Sequence, residues 1–269
     1  MMPTIRPLAI VAMCAGMILP PVAAHATPAC PLLVAHQGYS GLGWPDGPIP
    51  DNSIAALDNA FSHGARTLEF DVRWSSDDIP VVIHNPTIDM TTAHHGTVAN
   101  MTAAKLESMR LVSPWNSLRK TVWKLPSLAA MIDAARAHSM PVIIEIKTAA
   151  VTALQAASFR QAVAPWAGHV NVHSFYTADL AMFPQYPRTL LTRQAVTNDL
   201  GDAGVDLAGD VVTMADVAAL HRAGLVAGAW VTTSSGVQDN AAEWARLEGD
   251  GVDRIITDDA AGYSAWCAG

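Results

Sequence analysis

The chain has 269 residues, 51% of them hydrophobic and 15% charged, which is enough for one large domain with a full core. A formal net charge of −8 argues against a broad nucleic-acid-binding face, so no nucleic acid is expected as a partner. No internal repeat, low-complexity tract or long run of like charge divides it.

Residues 1–26 have the form of a signal peptide. Arg6 supplies a positive start, Leu8 to Leu19 is an unbroken apolar run, and Pro20 and Pro21 end it. Ala24-His25-Ala26 then has the small-x-small form of a cleavage site. The run is short for a bilayer span, and an uncleaved anchor is the alternative. No second long apolar run follows, so residues 27–269 are expected to form a secreted or periplasmic domain without an integral membrane segment. Cys14 leaves with the signal, and Cys30 and Cys267 remain. An even pair in an oxidising compartment predicts a disulfide that ties the two ends of the domain together; two free thiols are the alternative.

Short β-rich apolar runs then alternate with helical patterns. The runs are Pro31–His36, Thr67–Asp71, Pro80–His84, Pro141–Ile146, Val170–Ser174, Thr189–Thr192, Val226–Thr232 and Arg254–Thr257. Helices are expected at Ser53–His63, Ser127–His138, Ala153–Val163, Ala215–Ala223 and Asn240–Leu247. Eight strands with intervening helices predict a single-domain α/β TIM (β/α)8 barrel. One strand–strand link, Val72–Ile79, is too short for a helix, and an extended return down the barrel is expected there. The alternative, an open doubly wound sheet, wants a G-x-G-x-x-G turn after the first strand, and HQGYSGLGWPDGPIPDNS lacks that spacing.

The chemistry shows where the strands stop being apolar. Alternation puts Glu69 and Asp71 on one face with Phe70 opposite, and Glu145 and Lys147 on one face with Ile144 and Ile146 opposite. His36 and His84 end the first and third runs. This is the rim where such barrels carry catalytic groups. Three converging carboxylates repel one another unless a cation compensates them, and a hard divalent ion, Mg²⁺ or Ca²⁺, suits their oxygens. The competing reading is a salt-bridge network closed by Lys147 and Arg73. Two histidines on the same rim fit a proton donor and acceptor near neutral pH. His94 and His95 read as solvated loop residues, and the face of His173 is ambiguous.

With these residues in place, the chain resembles the glycerophosphodiester phosphodiesterase family, a relative of the spider-venom sphingomyelinase D and phospholipase D barrels. The resemblance runs through His36-Gln37-Gly38, Pro50-Asp51-Asn52-Ser53, AALDNAFSHGARTLEFDVRWSSDD, VVIHNPTIDMTTAHHGTV, LPSLAAMIDAA with IIEIK, AGLVAGAWVT and GVDRIITDD. It implies a hydrolase that uses one divalent cation to cleave glycerophosphodiesters to glycerol phosphate and an alcohol. Glu69, Asp71 and Glu145 would be metal ligands, and His36 and His84 the acid/base pair. Lys147 would lie near the phosphate and Trp230 would form an aromatic wall. The substrate's neighbouring hydroxyl would be the nucleophile. Gln37 stands where the family has an Arg, and a neutral amide cannot supply a bidentate cationic fork. Asn85 replaces an Asp, and the loop with Tyr39 and Trp44 is suited to an apolar substrate part. Two alternatives stay open: a phospholipase D-type enzyme acting on lysolipids or sphingolipids, and a binding protein that has lost catalysis.

Overall fold

A computed structural model describes residues 30–41, 49–112, 122–194, 203–232 and 235–269. The signal-peptide reading of residues 1–26 and the Trp44 loop lie outside the described residues. The described residues form nine strands: β1 Leu32–Ala35, β2 Thr67–Trp74, β3 Pro80–Val82, β4 Val142–Ile146, β5 Val170–Ser174, β6 Arg188–Thr192, β7 Gly204–Ala208, β8 Val226–Trp230 and β9 Arg254–Thr257. Eight of them pair in parallel in the order β1-β2-β4-β5-β6-β7-β8-β9, and β9 returns to β1, so the ring closes as a TIM barrel.

The expected strand list changes in two places. The third run is not a ring strand: β3 pairs antiparallel with the end of β2, Val72 opposite Val82 and Trp74 opposite Pro80. The Val72–Ile79 link therefore does not return down the barrel. β2 overshoots the rim, turns at 75–79 and comes back as a hairpin whose last backbone bond, Ile83 N–H to the Asp71 carbonyl, is 3.0 Å. The eighth ring strand is β7, which the apolar runs did not reveal because Asp206 interrupts it. Asp206 points into the barrel and pairs with Arg254 from β9 (Nε–Oδ1 2.9 Å, Nη2–Oδ2 3.0 Å). Gly228 on β8 makes room, since a Cβ there would collide with the Asp206 carboxylate.

All five expected helices form, each led by a side-chain cap where the sequence offers one. Ser53 caps Ile54–Ser62, Ser127 caps Leu128–Ala137, and Asn240 caps Ala241–Asp250; Thr152 and Gln155 form a capping box ahead of Ala153–Val163. Gly251 closes the helix Ala241–Asp250 at φ 86°, a conformation that favours glycine. Outward residues of the strands, such as Phe70, Val72, Ile144 and Ile146, pack under the helices, each worth about 1.5–3 kcal/mol on burial. A smaller inner cluster of Val34, Ile143, Leu191, Ala208, Trp230 and Ile256 fills the barrel.

Cys30 and Cys267 form the disulfide, with Cα atoms 6.0 Å apart. Cys267 lies within the final helix, Ala260–Ala268. Because Cys30 precedes β1, the bridge lies at the end of the barrel opposite the strands' C-terminal rim. No helix among the described residues is long and apolar enough to cross a membrane.

Candidate active site

The period-two pattern of β2 turns Phe70 outward and Glu69 and Asp71 inward at the rim, where both are buried. β4 pairs with β2 so that Glu145 is the partner of Asp71. One oxygen from each of Glu69, Asp71 and Glu145 lies within 4.8 Å of the others. Glu69 Oε1 and Asp71 Oδ1 are buried and accept no hydrogen bond. An all-carboxylate donor set in which Glu69 Oε1 has no hydrogen-bond partner and Asp71 Oδ1 has only the Lys147 charge beside it fits a hard divalent cation.

The remaining oxygens are held firmly. The turn after β1 puts Gln37 at φ 52° and Gly38 at φ 88°, with Gly38 so close to the helix Ile54–Ser62 that a Cβ would stand 2.6 Å from Ala56 Cβ. That turn aims the Gln37 N–H at Glu69 Oε2 (3.1 Å) and its side-chain amide at Asp71 Oδ2 (2.7 Å). Asn52 donates to the same Asp71 oxygen (2.8 Å) and accepts the Asp71 N–H (3.0 Å). Lys147 lies 2.7 Å from Glu145 Oε1 and 3.3 Å from Asp71 Oδ1. Arg73 does not join these ion pairs. It ties the rim together by donating to the carbonyls of His84 and Lys147, both at 2.8 Å.

His36 follows β1 directly and donates Nδ1–H to Asp258 Oδ1 at 2.6 Å, which turns Nε2 toward Glu69, 3.9 Å away. The β2–β3 hairpin delivers His84, exposed, to the same rim, where Nδ1 meets Asn85 Oδ1 at 2.8 Å. Asn85 Oδ1 only accepts, so Nδ1 is the donor in this pair. A cavity of roughly 320 Å³ joins these groups. One side is lined by His36, Glu69, His84, Glu145 and Lys147, with His173 beyond them. The other is lined by Phe175, Leu191, Arg193, Trp230, Thr232 and Ile256.

A model of the glycerophosphoryl diester phosphodiesterase family matches residues 36–261. The chain belongs to that family. Among curated relatives, Homo sapiens glycerophosphodiester phosphodiesterase 1 is 30% identical over 127 residues, 46% of this chain and 36% of that protein. The chain thus spans about a third of the length of that relative. Among solved structures, an Oleispira antarctica phosphodiesterase in complex with the product sn-glycerol-3-phosphate superposes with a TM-score of 0.75 at 20% identity, covering 89% of this chain and 98% of that one. A glycerophosphodiester phosphodiesterase from Agrobacterium tumefaciens gives 0.72 at 23% identity, covering 87% and 98%. These structural likenesses speak to the fold.

The electrostatics of this family member follow from the crowding of charge. Burial, then repulsion from Asp71, pushes Glu69 up to about 8 and Glu145 up to about 7, against the pull of His36 and Lys147. Burial also works against the Asp71 carboxylate, but Lys147, His84, His36 and the Asn52 hydrogen bond outweigh it and hold it below the usual range. For His36, burial disfavours the charged ring, yet the Asp258 hydrogen bond and the charges of Glu69, Asp258 and Asp71 raise it to about 10. His173 faces inward with Nε2 3.2 Å from Arg254 Nη2; burial first, and then the arginine charge, keep it neutral. His94 and His95 are exposed and do not line the cavity.

The sequence reading gave no role to Asn52 or Asp258, although both lie inside the segments that resemble the family. Asp258 sits one residue past the end of β9, the same strand-end signal that marked the other groups. Asp239 supports it by accepting the Asp258 N–H (2.7 Å), the Asp259 N–H (3.2 Å) and the Thr257 hydroxyl (2.7 Å).

Proposed function

We propose that this protein is an exported, cation-dependent hydrolase of glycerophosphodiesters, releasing glycerol phosphate and an alcohol. The observation that carries the reading is three inward carboxylates, two of whose buried oxygens accept no hydrogen bond, flanked on one rim by two histidines whose Nδ1 atoms are both engaged. The glycerol-phosphate product named for the Oleispira antarctica phosphodiesterase supports the substrate class. The apolar start of the chain and the disulfide support export.

Glu69, Asp71 and Glu145 would hold Mg²⁺ or Ca²⁺, with Gln37 and Asn52 fixing the carboxylates. The bound cation supplies positive charge to phosphoryl oxygens as negative charge builds on them. Lys147 adds a second positive charge beside them. His84 accepts a proton at Nε2 from the attacking hydroxyl, which the family resemblance assigns to the substrate itself, so that departure of the alcohol leaves a cyclic phosphate, which water then opens to glycerol phosphate. His36, kept protonated with Asp258 behind it, donates from Nε2 to the departing alkoxide. The Gln37 amide is turned to Asp71 and acts on the ligand set rather than as a cationic phosphate grip.

A second reading, a lysolipid substrate, is favoured by Phe175 and Tyr176, which are 40% and 52% exposed just past β5. Product analysis with glycerophosphocholine and lysophosphatidylcholine separates the two. Cation-dependent cleavage of the first supports the small-diester enzyme, and cleavage of only the second moves the protein to the lipid-acting branch. Silence on both, with intact cation binding, favours a binding protein.

A further inference from the structure

Beside the carboxylates, the cavity holds a buried histidine that the proposed chemistry does not use. His173 projects inward from β5 next to Glu145, its partner on β4, and lines the cavity with it. The side chain is buried, and the ring is pinned at one end. Nε2 lies 3.2 Å from Arg254 Nη2, and Arg254 is itself held by Asp206 and by the Thr189 hydroxyl (3.1 Å). A guanidinium has only donors, so Nε2 receives that bond with its lone pair. Asp206 Oδ2, 3.1 Å from the same nitrogen, already accepts from Arg254 Nη2 at 3.0 Å. Burial and the arginine charge keep the ring neutral, so its one proton is on Nδ1. Nδ1 is buried and has no hydrogen-bond partner among the described residues.

A buried N–H without an acceptor is costly, and at a cavity the group that satisfies it is an oxygen of the ligand. The order of the ring indicates which oxygen. His36 ends β1, His84 arrives on the hairpin from β2, Glu145 is on β4 and His173 on β5. Attack and departure lie in line across the phosphorus. With the attacking hydroxyl at His84 and the departing alkoxide at His36, the glycerol portion continues from His84 past Glu145 toward His173. The alcohol portion extends on the other flank. Trp230 Nε1, a second buried nitrogen without an acceptor that lines the cavity, belongs to β8, beside β9 and so on that other flank. In a glycerophosphodiester the terminal hydroxyl stands one carbon beyond the attacking one.

We propose that the His173 Nδ1–H binds the terminal hydroxyl of the substrate's glycerol portion, and so selects diesters in which that hydroxyl is free over those in which it is acylated or missing. The proposal rests on the phosphodiesterase reading and adds to it the contact that separates small diesters from lysolipids. Glycerophosphoethanolamine and 2-hydroxypropyl phosphoethanolamine isolate the contact, because the second keeps the attacking hydroxyl and carries methyl in place of the terminal hydroxymethyl. With saturating Mg²⁺ or Ca²⁺, the ratio of kcat/KM for the first over the second is expected to be about 10 or more in the wild type, since a donor built to bond a hydroxyl discriminates against the analogue that lacks it. Asparagine places an amide nitrogen near the position of Nδ1, whereas glutamine carries its amide out to the Nε2 end. His173→Asn should therefore keep part of the ratio and His173→Gln should bring it toward 1. A histidine that only supports the barrel would lower both diesters alike in His173→Gln and leave the ratio unchanged. That result, or a wild-type ratio near 1, overturns the contact. Absence of turnover for both diesters in the wild type counts against the hydrolase reading. In that event, or if the variants do not fold, nitrogen-15 NMR of the wild type decides the contact by itself. His173 is the one fully buried histidine among the described residues. Its Nδ1–H resonance should shift on addition of sn-glycerol-3-phosphate and much less on addition of 1,2-propanediol phosphate; equal shifts, or none, overturn the proposal.

Discussion

Glu69→Gln separates the cost of crowding three carboxylates from their use. Without a cation, burial and the neighbouring carboxylates push Glu69 up to about 8. An acid whose folded-state pKa exceeds its unfolded one costs no stability below the unfolded value of 4.5. The cost grows as pH rises through that value and is complete above about 8. At roughly 1.4 kcal/mol per unit, the cation-free protein is penalised by a few kcal/mol at pH 8. Glutamine keeps the shape of the side chain and an oxygen for the Gln37 N–H, and removes the charge. In chelator at pH 8 the variant should therefore be more stable than wild type by about 1–2 kcal/mol in urea unfolding, with the gap closing toward pH 5. The same variant should bind Mg²⁺ or Ca²⁺ about 100-fold more weakly by calorimetry, because one charged ligand is gone. A variant less stable than wild type in chelator at pH 8, or one with an unchanged cation titration, refutes the reasoning.

Three further outcomes are expected. His36→Ala should lose at least ~100-fold in kcat on an alkyl diester but much less on a p-nitrophenyl diester, whose leaving group needs no proton, whereas His84→Ala should lose equally on both; equal losses in His36→Ala would remove it as the donor. Asp258→Asn should lower kcat by about tenfold, the modest size reflecting the partial exposure of Asp258, and should move the alkaline limb of the pH–rate profile to lower pH, because the removed carboxylate helps raise His36. An unmoved limb would contradict that pairing. Reducing the Cys30–Cys267 bridge, whose cysteines are 237 residues apart, should cost about 5 kcal/mol on the chain-entropy account. The loss is read as a lower Tm, with kcat in native buffer unchanged since the bridge lies at the far end from the mouth.

The carboxylate cluster was legible in the sequence because charge at inward positions of buried strands breaks the apolar pattern, and Glu69, Asp71 and Glu145 did so at strand ends. The strand count was right for partly wrong reasons. An apolar run such as Pro80–Val82 shows that a strand forms but not which way it pairs, so the hairpin passed for a ring member. β7 was hidden because Asp206 looks like a loop residue until Arg254, 48 positions away, is known to neutralise it. Asp258 depended in the same way on the pairing of β9 with β1, which brings it to His36. Partners fixed by ring closure are not written in local periodicity.

The most direct test of the central claim is phosphorus NMR of glycerophosphoethanolamine incubated with the purified protein, with Mg²⁺ or Ca²⁺ and with chelator. Cation-dependent conversion to glycerol phosphate, lost in both His36→Ala and His84→Ala, is the result predicted. Conversion that persists in chelator or in either histidine variant would contradict the account.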